Sequence, residues 1–148
     1  MVQACELPLN NATTTEIKNI LDHYHTVAII GISNNEEKAS YQVAEYLQRH
    51  GFTIYPVNPR YQEILGIACH PTLLEIPVPI EIVDIFRKPS AIDEIVTQAI
   101  RKKAKVIWMQ SGIVNNKAAQ TARDAGLTVV MDRCMMVEHR RLHGNPGP

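Results

Sequence analysis

Gly31 and Ser33 end the run Thr26-Val-Ala-Ile-Ile-Gly-Ile-Ser33, and their types and spacing point to phosphate binding. The apolar part of the run reads as a strand buried on both faces. Where such a strand stops, a glycine lets the chain leave sharply, and its missing side chain lets backbone N–H groups approach an anion. Lys38, in the loop that follows, adds a mobile cation. Val57-Asn-Pro-Arg60 ends a second apolar run with an amide and a guanidinium. These suit an additional phosphate, on NADP or on a 3′-phosphorylated adenosine. The dinucleotide fingerprint G-x-G-x-x-G is met only at Gly31, with Ser33 and Glu36 at its other two positions. The acidic residue that would bind a ribose hydroxyl is also absent from the end of the second run.

Other reactive side chains favour structural readings. Cys134 follows Met131-Asp-Arg, so a thiol beside Arg133 could ionise in part and form a mixed disulfide; the competing reading is a small buried residue under the last helix. Cys69 and His70 are neighbours on an extended segment and point to opposite faces, which argues against a nucleophile–base pair. The six histidines form no convergent ligand set, so no metal site is expected. Asp132 and Arg133 read as a local ion pair that fixes the C-terminal segment. Trp108, flanked by Val106 and Ile107, reads as core. No catalytic residue is assigned.

These residues need a scaffold. Thr13 and Glu16 have capping-box spacing, and Ile17, Ile20, Leu21 and Tyr24 share one helical face, which predicts an opening helix. A helix over 40–50 with Gly51 at its stop follows the first strand; a strand over 53–57 comes next, with Pro56 lacking a ladder donor. An irregular connection passes Gly66 and Cys69, with one short helical turn between Pro71 and Pro77. Strands are predicted over 81–86, 105–109 and 127–131. Between them lie a helix capped by Ser90 and one starting at Asn115 or Asn116. A helix over 135–142 closes the unit, and a frayed Gly-Asn-Pro-Gly-Pro tail follows.

Alternating strands and helices imply an α/β fold, a three-layer Rossmann-like doubly wound parallel sheet of five strands in the order 3-2-1-4-5. Its crevice would open after strands one and four. The chain has 148 residues, 45% of them apolar, and a formal net charge of zero. It is read as a single domain over 1–148 with its core over 14–143. The charge balance excludes the footprint of a nucleic-acid binder. No apolar stretch is long enough to span a bilayer, and the N-terminus lacks the form of a signal peptide. The three cysteines share no short spacing, so a reducing, cytoplasmic setting is expected.

The ordered blocks Val27-Ala-Ile-Ile-Gly-Ile-Ser33, Ser40-Tyr41, Pro56-Val-Asn-Pro59, Glu63-Ile-Leu-Gly66, Val83-Asp-Ile-Phe-Arg87, Trp108-Met-Gln-Ser-Gly-Ile113 and Met131-Asp-Arg-Cys134 with Glu138-His139 resemble the small stand-alone CoA-binding proteins. These are similar to the CoA-binding domain of the succinyl-CoA synthetase α subunit and of ADP-forming acyl-CoA synthetases. The resemblance implies a Rossmann-like domain with coenzyme A at its strand C-termini. Gly31, Ile32 and Ser33 would form the first phosphate loop, with Lys38, Ser40 and Tyr41 beside the phosphates. Val57, Asn58 and Pro59 would edge the adenosine, and Phe86 and Arg87 would flank the ligand. Gln110, Gly112 and Ile113 would face it from the opposite loop. Arg60 and Cys134 join the set on the chemical grounds given above.

The expected function is non-covalent binding of coenzyme A or a short acyl-CoA, as a carrier, sensor or CoA-protecting protein. The alternatives are a small NADP- or acyl-CoA-dependent enzyme, and a regulatory module whose protein partner is switched by CoA. A homodimer is compatible with either reading.

Overall fold

The computed structural model describes residues 6–143. The C-terminal tail and Cys5 lie outside the described residues. Helix α1 (Thr14–His23) starts at the expected capping box: Glu16 N–H donates to Thr13 Oγ1 at 3.1 Å, and Thr13 N–H donates to Glu16 Oε1 at 2.9 Å. Strand β1 (Thr26–Ile30) follows, then α2 (Ala39–Arg49) and β2 (Thr53–Val57). A small hairpin, β3 (Glu63–Ile64) and β4 (Ile67–Ala68), leads past a short turn of helix over Leu73–Glu75 to β5 (Ile82–Ile85). The rest runs α3 (Ile92–Arg101), β6 (Val106–Met109), α4 (Asn116–Asp124), β7 (Thr128–Val130) and α5 (Met135–Leu142).

The main sheet is parallel, five-stranded and Rossmann-like, in the order β2-β1-β5-β6-β7. Counted along its five strands this is 2-1-3-4-5, which corrects the expected 3-2-1-4-5. The third strand lies inside the sheet, against β1, and not beyond β2. Two local facts decide this. Glu81, at the entrance to β5, accepts hydrogen bonds from the N–H groups of His25 and Thr26 and from the Thr26 hydroxyl, which pins the strand beside β1. Pro56 suits an edge: its carbonyl faces outward and accepts from His70 N–H at 3.0 Å, so its missing N–H costs no bond to β1. The switch point therefore falls between β1 and β5.

Each inner strand divides its residues between two cores. Ala28, Ile30, Val83 and Ile85 pack under α3 and α4, while Val27, Ile29, Ile82 and Trp108 pack under α1, α2 and α5. Full burial of each such valine or isoleucine side chain contributes roughly 1.5–3 kcal/mol. Trp108 is core, as expected, and its indole N–H donates to the Arg133 carbonyl at 2.8 Å.

Two local expectations change. Ser90 does not cap α3: it lies in a short 3-10 turn begun by Pro89, and the helix starts after Ala91 with no side-chain cap. The irregular connection through Gly66 contains the β3–β4 hairpin, whose central residues Leu65 and Gly66 both have positive φ (56° and 73°). That is the backbone of a tight two-residue hairpin turn, with leucine where asparagine or aspartate is the usual choice.

Candidate functional site

Three adjoining depressions cross the C-terminal edge of the sheet; all three share Arg87, and the first two also share Gly31. The first, toward α3, is walled by Ile30, Val57, Leu73, Ala91 and Ile95, with Glu94 and Gln98 on its rim. The second is polar, formed by Gly31–Ser33 with Asn58, Arg60 and Tyr61. The third, toward β6, is formed by Phe86, Pro89, Gly112, Ile113 and Cys134, with Ala39 at the head of α2. The depression at the ends of β1 and β2 is thus polar, and the ones toward α3 and β6 are mainly apolar.

The loop after β1 is held by its own side chains. Ser33 N–H donates to Ser40 Oγ at 2.9 Å, Asn35 N–H to Ser33 Oγ at 3.0 Å, and Glu37 N–H to Asn35 Oδ1 at 2.9 Å. Gly31 N–H is also engaged, donating to the Val57 carbonyl at 2.9 Å. Among the described residues, Ile32 and Asn34 N–H find no protein acceptor. Lys38, the N-cap residue before α2, makes no side-chain cap, which leaves the helix's first-turn N–H groups and the positive end of its dipole beside the same loop. Among the described residues, the backbone N–H groups in this corner without a protein acceptor are those of the buried Ile32, of Asn34 and Glu36, and of the head of α2. Gly31 has another task. Its φ is +84°, and a β-carbon there would stand 2.7 Å from the Phe86 carbonyl oxygen and 2.6 Å from Arg87 Cδ. The bare α-carbon lets the β5 exit and the Arg87 stem close against β1.

The expected site residues fall into two groups. Gly31, Ile32, Ser33, Val57, Asn58, Pro59, Arg60, Phe86, Arg87, Gln110, Gly112, Ile113 and Cys134 all line the depressions. Lys38, Ser40 and Tyr41 line none of the three; Ser40 is buried and ties the loop, and Tyr41 packs against the α2 core. Among the lining residues, two amides are already committed to the fold. Asn58 Nδ2 donates to the Ile32 carbonyl at 2.9 Å, and Asn58 Oδ1 accepts from Arg60 N–H at 2.9 Å. Gln110 Oε1 accepts from Met135 N–H at 3.1 Å, so this buried side chain anchors the start of α5. Asp132 binds Gly112 N–H at 2.7 Å and fixes the loop after β6. The ion pair expected between Asp132 and Arg133 is not among those the described residues form.

The α3 wall was missed from sequence. Ala91, Glu94, Ile95 and Gln98 recur at helical spacing and line the first depression; of these only Ile95 belongs to the apolar face that the sequence pattern marks, and the polar Glu94 and Gln98 carry no signal that sets them apart from a solvated face. Cys69 donates to the Asn58 carbonyl at 3.5 Å, and burial pushes its thiol up from the usual range. Away from the crevice, His50, His139 and His143 cluster around Tyr46: the Tyr46 hydroxyl lies 2.8 Å from His139 Nδ1, and the rings of His139 and His143 stack at 4.6 Å. Among the described residues no three histidine, cysteine or carboxylate side chains are arranged to hold a metal ion. No helix among them is long and apolar enough to cross a membrane.

Comparison with known proteins identifies the family. A family model described as the CoA binding domain matches residues 25–140. The Bacillus subtilis (strain 168) protein YneT is 36% identical over 131 residues, covering 88% of this chain and 97% of YneT. The ADP-forming acetate–CoA ligase I of Archaeoglobus fulgidus is 36% identical over 119 residues, which are 74% of this chain but only 17% of the ligase. A solved structure of a hypothetical protein from Pyrococcus horikoshii OT3 superposes with a TM-score of 0.89 at 44% identity, covering 97% of this chain and 100% of that one.

Proposed function

The chain belongs to the CoA binding domain family, and we propose that it holds coenzyme A or a short acyl-CoA non-covalently across the crevice, as a carrier, sensor or CoA-protecting protein. The observation that carries this reading is the polarity of the crevice: polar at Ile32–Ser33 and Arg60, apolar toward Leu73 and Ile95 on one side and toward Phe86 and Ile113 on the other. Coenzyme A has that sequence of parts, a purine and a pantetheine arm joined through phosphates. The uncapped head of α2 supplies backbone donors and a favourable dipole for the phosphates. Arg60, exposed on the lining of the polar depression, would meet the 3′-phosphate. The thiol or acyl end then lies toward Ile113 and Cys134.

The matching region of a ligase named for CoA supports the ligand. Because the chain spans only 17% of that ligase, the ligase reaction is not carried over. Native mass spectrometry of the purified protein mixed with CoA tests the proposal. The expected result is an adduct of one CoA per chain that survives reductant. No adduct, or one that reductant removes completely, would contradict non-covalent binding.

A further inference from the structure

We propose that Arg87 is the residue that recognises the diphosphate of the ligand, an assignment that rests on the coenzyme A reading above. Arg87 is the one residue that walls all three depressions. The other nearby cations do not share that place: Arg60 walls only the polar depression, Lys88 only the one toward β6, and Lys38 none. A diphosphate joins the two halves of coenzyme A, so the group that reads it belongs at the junction.

The stem of Arg87 is fixed at that junction. A β-carbon on Gly31 would stand 2.6 Å from Arg87 Cδ and 3.1 Å from Arg87 Cγ, so the methylenes rest on the bare glycine. The guanidinium starts from a defined point and presents a planar fork that matches pairs of phosphate oxygens. No carboxylate lies within ion-pair distance of it among the described residues. Glu94 stands on the rim toward α3 and disfavours an anion there, which directs the phosphates to the polar depression beside the head of α2. The glycine of the loop thereby acts through the arginine that it seats.

Calorimetric titration of the full chain with CoA and with dephospho-CoA tests this, using wild type, Arg87→Ala, Arg87→Lys and Arg60→Ala. Arg87→Ala is expected to weaken both ligands alike, by roughly ten- to a hundredfold. Arg87→Lys keeps a stem and a charge over Gly31 but loses the paired donors, and recovers only part of that loss. Arg60→Ala weakens CoA more than dephospho-CoA. Arg87→Ala affinities within about twofold of wild type would overturn the assignment, as would full rescue by lysine. A loss confined to CoA would move Arg87 to the 3′-phosphate and also overturn it. Should Arg87→Ala fail to fold in a urea titration, the lysine variant decides. Wild type that binds neither ligand would remove the coenzyme A reading itself, a result distinct from every variant outcome.

Discussion

Asp84 sits in the middle of β5, between Ile29 and Trp108 on the neighbouring strands, and is completely buried. Neither of its oxygens has a hydrogen-bond partner among the described residues. Burial raises its pKa well above the ordinary carboxylate range, so the folded chain retains a proton that the unfolded chain gives up. The sign follows from linkage: stability falls as pH rises from about 4, the unfolded value, toward the folded one. Asp84→Asn cannot ionise and is expected to be more stable than wild type to urea at neutral pH, with the difference vanishing near pH 4. A wild type equally stable at neutral pH would mean that the carboxyl finds a partner in solution. Gly31 makes the second residue-scale prediction. Gly31→Ala meets both a strained φ and the Phe86 carbonyl, and should cost roughly 1–3 kcal/mol in a urea titration whether or not ligand is present. Binding loss without any loss of stability would return the glycine to direct phosphate contact.

Among the elements, α5 couples the two ends of the molecule. Its first residue is held at the crevice by Gln110, while at its far end His139 is wedged among Tyr46 and His50 of the α2 end, Phe52, and His143. Arg140 lies over the Tyr46 ring, and Asp22 of α1, paired with Lys18, meets His143 at 3.0 Å. Desolvation, reinforced by His143 and His50, lowers the affinity of His139 for a proton. Its folded value is depressed relative to the unfolded chain, so the folded state binds fewer protons and loses stability as pH falls below about 6.5. His139→Leu should flatten that acid limb in urea titrations on both sides of the imidazole range; an unchanged limb would place the acid sensitivity elsewhere. The elements themselves were legible because their signals are local: the Thr13–Glu16 box, the period of α3, the apolar runs of β1 and β6. Strand order was not. Right-handed crossovers allow the third strand on either side of the first pair, and the choice rests on Glu81 reaching His25 and Thr26. The outward-facing Pro56 was visible in the sequence, but its meaning for an edge strand depends on that same choice.

At the scale of the whole molecule, the sheet delivers loops from distant parts of the chain to one edge. The convergence of Gly31–Ser33, Asn58–Arg60, Phe86–Arg87, Gly112–Ile113 and Cys134 was readable as strand ends. What each side chain does there was not, because the partners of Asn58, Gln110 and Asp132 lie 26, 25 and 20 residues away along the chain. Those polar groups hold the loops in place and leave backbone donors and arginines to face a ligand. An amide chemical-shift titration with coenzyme A tests this most directly. Saturable shifts are expected at Ile32, Ser33, Asn34, Ala39, Arg87 and Gly112, with His50 and His143 at the opposite end unmoved. Shifts centred on that histidine cluster, or none at saturating coenzyme A, would contradict a ligand seated at the strand C-termini.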